Sequence, residues 1–138
     1  MFDASNPVIA LCVAGMQVEG EPARALALFE QAWAARVDDF DASVAAHFVA
    51  RHQRTPAETL HWNEVALRHA EALEDDRARE LFPSLCLNLG DAYLTAGRVA
   101  EASVLADRAS AALDALPSGG YADFVRMGIE RLHQRLAT

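Results

Sequence analysis

The chain has 138 residues and a mass of 15.0 kDa, with 29 alanines, 16 leucines, 7 glycines and 5 prolines. Its net charge is −8, because twelve arginines and no lysine stand against twenty acids. Alanine and leucine favour helix, and this composition excludes collagen-like, low-complexity and disulfide-scaffold proteins. The acidic balance argues against nucleic acid and against an anionic membrane as partners.

Cysteine usage and hydropathy indicate the cellular setting. Cys12 and Cys86 lie in apolar helical stretches, which favours buried thiols over a disulfide or a paired ligand site. The apolar start at 8–18 follows Asp3 and is interrupted by Gln17, which argues against a signal peptide. No stretch approaches the roughly 18 apolar residues that a membrane span needs. We therefore expect a soluble cytoplasmic protein.

Helix boundaries are predicted from local capping chemistry. Asn6 stands before a proline, a good start for the first helix. Thr55 and Glu58 have the spacing of a capping box, and Gly20 and Gly97 are expected to supply left-handed conformations where helices end. The predicted helices lie at about 7–19, 21–36, 40–52, 56–73, 77–96, 98–115 and 121–136.

The segment at 74–80 is strongly charged and is expected to extend the helices on either side of a turn. Pro83 follows it closely. A proline is tolerated in the first turn of a helix but kinks a helix farther in. The sequence leaves both alternatives open for the fifth helix.

Three stretches of the chain align with one another, at 20–32, 54–66 and 97–109. Each opens on a turn residue, has a small residue five positions later, and has an alanine seven positions beyond that one. The small residues are Ala25, Thr59 and Ala102. Such internal similarity is typical of helical repeat proteins.

The pattern resembles the tetratricopeptide repeat (TPR) family. The third repeat carries the signature best, with Leu89, Gly90, Tyr93, Gly97, Ala102 and Ala109. The first repeat keeps Gly20, Ala25, Phe29 and Ala32 but has Val13 and Met16 where glycine and tyrosine are usual. The second diverges most, with His47, Thr59 and Asn63 in signature positions.

This resemblance implies an all-α fold, a right-handed superhelix of antiparallel helical hairpins. The whole chain, 1–138, would be a single TPR-like domain with repeats at about 6–37, 40–73 and 77–116. Ala102 and Ala109 would be points of close helix contact. A capping helix at 121–136 would cover the end through Tyr121, Phe124, Val125, Gly128, Ile129, Leu132 and Leu136. A partner-docking helix is the alternative interpretation of that segment.

The resemblance also implies a function, because the first helices of TPR hairpins line a concave face where ligands bind. The corresponding groove residues here are Gln17, Phe48, Arg51, His52, Asn88, Asp91 and Thr95. Arg51 is suited to a carboxylate, and Asn88 resembles the groove asparagine that holds peptide backbone in the family. The family's two-lysine clamp is absent, since the chain has no lysine. We expect a protein-interaction module that binds a peptide or a partner protein.

Four of the five histidines lie in the second repeat, without the spacing that places two imidazoles on one helical face. No phosphate-binding loop or hydrolase motif is present in the sequence. We predict no metal, no cofactor and no enzymatic activity. One alternative is an enzyme or small-molecule-binding protein built around His47, His52, Trp62 and Asn63. Another is a self-associating structural unit, such as a homodimer, that stacks through its terminal helices.

Overall fold

A computed structural model describes residues 3–138, which form seven α-helices, two 3₁₀ turns and no β-strand. The fold is all-α, as the sequence predicted. The helices are α1 (Pro7–Gln17), α2 (Pro22–Ala34), α3 (Asp39–Val49), α4 (Pro56–Glu71), α5 (Phe82–Thr95), α6 (Val99–Ala112) and α7 (Gly120–Leu136). The 3₁₀ turns are Ala50–His52 and Leu113–Ala115. Two compact units make up the chain, unit 1 (Met1–Glu74) and unit 2 (Asp75–Thr138).

The predicted helix caps are present. The Asn6 side-chain oxygen accepts a hydrogen bond of 2.9 Å from the backbone N–H of Val8. The Thr55 hydroxyl accepts from the backbone N–H of Glu58 at 3.1 Å and donates to the Glu58 carboxylate at 2.9 Å. Such caps satisfy backbone donors that a helix start leaves without partners. The sequence therefore fixes where α1 and α4 begin.

The two glycines predicted to end helices behave differently. Gly97 follows α5 with a φ of 79°, the left-handed conformation that glycine adopts without steric cost. The same prediction for Gly20 is wrong, because its φ is not positive. Helix α1 has already ended at Gln17, where the N–H of Val18 bonds to the Gly15 carbonyl at 3.1 Å. The chain therefore leaves the helix before it reaches Gly20.

Helix α5 begins five residues later than the sequence predicted, at Phe82 instead of 77. Pro83 lies in its first turn, so it starts the helix and does not kink it. In the preceding segment Asp75 accepts a hydrogen bond from the backbone N–H of Arg77 at 3.0 Å. Aspartate bonds of this kind favour turns over helix. The charged segment therefore forms a series of turns.

Unit 1 packs α1 on α2 and α3 on α4, and α3 also contacts α1 and α2. Every residue from 40 to 50 is buried. Phe29 on α2 is fully buried, and a Cβ added at Gly15 on α1 would lie 2.3 Å from its ring. The ring therefore fills the space that the glycine leaves. The close contact of this hairpin lies at Gly15, two residues beyond the Val13 position that the repeat alignment indicated.

Unit 2 packs α5 on α6, with Ala102 and Ala109 fully buried. A Cβ added at Gly90 on α5 would lie 2.9 Å from the side chain of Leu132 on α7, and on α6 it would lie 3.4 Å from the Leu105 Cβ and 3.5 Å from the Ala102 carbonyl oxygen. The backbones therefore approach closely where the sequence placed small residues. The prediction that Ala102 is a close-contact position is confirmed.

Ala102→Leu is expected to lower the free energy of unfolding by about 1–3 kcal/mol, since extra methylenes in a packed contact force neighbours to shift. Ala111→Leu is the matched control, because Ala111 is exposed on the same helix. Urea unfolding followed by circular dichroism would measure the free energy of unfolding of both variants. Equal midpoints for the two variants would contradict the assignment of this contact.

Helix α7 packs on α5 and α6 through Ala122, Val125, Ile129 and Leu132. Tyr121 and Phe124, predicted on its buried face, are 42% and 74% exposed, so that part of the prediction is wrong. Successive residues of a helix are about 100° apart, so burial of Val125 turns Phe124 outward. In the described residues no helix is both long enough and apolar enough for a membrane crossing.

Both cysteines are buried free thiols, as predicted. Burial raises the pKa of the Cys12 thiol to about 12. Only the thiolate is a strong nucleophile or metal ligand. Cys12 is therefore a core residue at neutral pH.

Candidate functional site

A carboxylate and two basic side chains meet in unit 1, in a group we call the Glu19 cluster (Glu19, Phe29, Phe48, Arg51 and His52). Glu19 lies in the turn between α1 and α2, and the two basic residues lie in the 3₁₀ turn that follows α3. Arg51 donates from Nε and Nη2 to the two Glu19 oxygens, at 3.0 Å each. The His52 Nε2 atom lies 2.7 Å from Glu19 Oε2.

Aromatic rings support the basic groups of this cluster. The His52 ring stacks on Phe29 with centroids 5.8 Å apart and planes 12° apart. Phe48 stacks on Phe29 at 5.2 Å, and the Arg51 guanidinium lies 5.9 Å from the centre of the Phe48 ring. Phe48 is only 4% exposed, so it forms the base of the cluster and offers little surface of its own.

The electrostatics of the cluster favour an ionised Glu19. Burial by itself raises the pKa of this carboxyl, but the hydrogen bonds and charges of Arg51 and His52 outweigh burial, and the pKa is lowered. An ionised carboxylate only accepts hydrogen bonds, so His52 Nε2 carries the proton in this contact. Two of the five N–H donors of Arg51 are used by Glu19. The guanidinium is thus held in place with donors to spare.

His47 lies on α3 one turn before the cluster and is 8% exposed. Burial lowers its pKa to about 4, and the positive charge of Arg51 acts in the same direction, whereas Glu19 opposes both. His47 is therefore neutral at pH 7. A buried charge would be costly there without a strong anionic partner.

The remaining predicted groove residues belong to other parts of the helices. Gln17 is exposed at the end of α1, two residues before Glu19. On α5, in unit 2, Asn88 is half-buried and Thr95 is exposed at the last position. Asp91 is also on α5, and its carboxylate accepts from Arg135 of α7 at 2.7 Å. Burial raises the Asp91 pKa although Arg135 and Arg131 act to lower it.

The structure brings Phe48, Arg51 and His52 together, but Phe48, which the resemblance placed on the exposed face of the groove, is buried. Sequence reasoning missed Glu19, which no repeat position marked. The turn that joins the first two helices holds two carboxylates, Glu19 and Glu21, and nothing in the sequence singles out Glu19. Trp62 lies in a different group of rings, where it contacts Trp33 and His61.

Residues 3–138 contain no group of three or more histidine, cysteine, aspartate or glutamate side chains that could hold a metal ion. What the Glu19 cluster offers is instead a fixed guanidinium, which suits carboxylate recognition. No family model matches the chain, and comparisons with curated proteins and with solved structures find no match either.

Proposed function

We propose that this chain is a protein-interaction module of the TPR type, a right-handed superhelix of three helical hairpins and a capping helix. Its concave face would bind a peptide or a segment of a partner protein. The hairpin contacts support the proposal, because α1 pairs with α2, α3 with α4 and α5 with α6. Glycine or alanine occupies the close approaches at Gly15, Gly90 and Ala102.

The observation that carries the binding proposal is the state of Arg51. Its side chain is 47% exposed, yet its guanidinium is held by two hydrogen bonds to Glu19. A fixed arginine loses less conformational entropy when it binds than a mobile one does. The N–H groups left over, at the Nη1 and Nη2 end of the guanidinium, can donate to a carboxylate of the partner, and arginines are common among interface hot spots.

Asn88 is the second residue on which the proposal depends. It is half-buried on α5, the first helix of the third hairpin. An amide side chain both donates and accepts hydrogen bonds, which matches the alternating groups of an extended peptide backbone. We therefore expect Asn88 to bind main-chain groups of a partner segment.

Arg51→Ala and Asn88→Ala are each expected to weaken partner binding by about 1 kcal/mol or more while the fold is retained. The immobilised parent protein and each variant would be exposed to lysate of the native cells, and captured proteins would be compared by mass spectrometry. Arg24→Ala is the matched control, because Arg24 is also an exposed arginine in an ion pair, with Glu21.

Loss of the same captured protein from both groove variants, but not from the Arg24→Ala control, would support the proposal. The interaction would then be measured with the purified partner by calorimetry. An unchanged set of captured proteins in Arg51→Ala and Asn88→Ala would contradict it. Thermal unfolding of every variant would show whether a loss of capture reflects a loss of fold.

A further inference from the structure

A second aromatic group lies in unit 1, which we call the Trp cluster (Trp33, Arg36, Asp39, Trp62 and His69). Trp33 of α2 and Trp62 of α4 meet edge to face, with centroids 5.1 Å apart and planes 86° apart. His69 of α4 contacts Trp33 at 6.1 Å and pairs with Asp39 at 2.8 Å. Both tryptophans are half-buried, and they are the two tryptophans of the whole chain.

The chain places one of its own cations on this cluster. The Arg36 guanidinium carbon lies 3.8 Å from the centre of the Trp33 ring, and its Nη1 donates to the Trp33 carbonyl at 2.6 Å. Tryptophan is the aromatic residue that attracts cations most strongly. Arg36 is exposed, and no carboxylate pairs with it among the ion pairs of the described residues. In the part of the chain that the structure describes, the ring and one backbone carbonyl, and no carboxylate, therefore hold this guanidinium, and it lies where water can reach it.

Charge around the cluster favours a cationic ligand over an anionic one. Helix α4 carries Glu58, Glu64 and Glu71 against the single arginine Arg68. The turn before α3 adds the carboxylate of Asp38, and the chain as a whole has a net charge of −8. A basic segment would therefore be attracted to this surface by the long-range field and held by the ring.

We propose that the Trp cluster binds an arginine side chain of a basic partner segment, with that guanidinium replacing Arg36 on the Trp33 ring. The site is separate from the Glu19 cluster. It involves neither Arg51 nor Asn88, so the failure of either proposal leaves the other standing. Trp33 is the binding surface, and Arg36 is an internal competitor for it.

The probe is a hexa-arginine peptide, titrated into the full-length protein while intrinsic tryptophan fluorescence is recorded. The entire tryptophan signal comes from this cluster, so a change in emission reports a ligand at Trp33, and calorimetry of the same titration detects binding that leaves the emission unchanged. A saturable change with hexa-arginine and none with hexa-glutamate is expected. A response to hexa-glutamate, or no saturable response to hexa-arginine, would overturn the proposal.

The Arg36→Ala variant distinguishes binding at the Trp33 ring from general attraction between the basic peptide and the acidic protein. Removing the internal competitor is expected to tighten hexa-arginine binding by roughly two- to thirtyfold, the range of a single cation–π contact. Arg24→Ala makes the same change in net charge on α2, the helix that carries Trp33, and Arg24 pairs with Glu21 instead of contacting a tryptophan. Equal affinities for these two variants would show that net charge alone drives binding and would refute the site.

Trp33→Leu removes the ring and is expected to weaken binding over the same roughly two- to thirtyfold range, as measured by calorimetry. Affinity equal to that of the parent protein would overturn the proposal. If this variant fails to fold, the comparison of Arg36→Ala with Arg24→Ala still tests the proposal, because both variants keep the two tryptophan rings.

Discussion

Phe29→Ala is expected to lower the free energy of unfolding by about 3–5 kcal/mol, the usual cost of truncating a buried phenylalanine. The Phe29 ring is fully buried and fills the space left by Gly15 on the facing helix. It also stacks on Phe48 and His52, so its loss would leave a cavity beneath the Glu19 cluster. Urea unfolding monitored by circular dichroism would give the change.

The chain offers a matched control in Phe124→Ala. Phe124 is 74% exposed on α7, so the same substitution there is expected to change stability by no more than about 0.5 kcal/mol. If Phe29→Ala lowers the free energy of unfolding as little as Phe124→Ala does, Phe29 is not in the core. Such a result would also contradict the packing of α1 on α2.

Stability is expected to fall between pH 7 and pH 5 by about 2 kcal/mol because of His47 alone. Burial lowers the pKa of folded His47 from 6.5 to about 4. Below pH 6.5 the unfolded chain therefore takes up a proton that the folded chain does not, so acid favours unfolding. The stability that depends on neutral His47 is fully present above pH 6.5 and is lost progressively as the pH falls toward 4.

His47→Gln should flatten this dependence, whatever its effect on stability at pH 7. His61→Gln is the control, since His61 is exposed on α4 and should leave the slope unchanged. Denaturant unfolding at pH 7, 6 and 5 would test both variants. These pH values lie above the range in which the lowered pKa of Glu19 affects stability. A parent-like slope in His47→Gln would contradict the prediction, as would an NMR titration that shows His47 protonated near pH 6.

Most of the predictions that depended on local chemistry were accurate, with Gly20 and the start of α5 as the exceptions. Alanine-rich composition and side-chain caps act within a few residues, so the helices, the starts at Asn6 and Thr55 and the turn at Gly97 follow from the sequence. The small residues of the third repeat likewise marked a real close contact between α5 and α6. The start of α5 was missed because Asp75 accepts a hydrogen bond from the Arg77 backbone and the segment before the helix forms turns.

Only the tertiary structure decided which polar and aromatic groups meet. Glu19 is separated from Arg51 and His52 by more than thirty residues, and Trp33 from Trp62 by almost as many. Arg51 and His52 are adjacent in the sequence, but the sequence did not identify Glu19 as the anion that binds both. The sequence also did not determine which face of α7 packs against the other helices. Phe124 was predicted on the buried face and is exposed. Helix formation is determined by neighbours along the chain, whereas side-chain pairing depends on how one helix packs against another, and that is fixed only when the hairpins assemble.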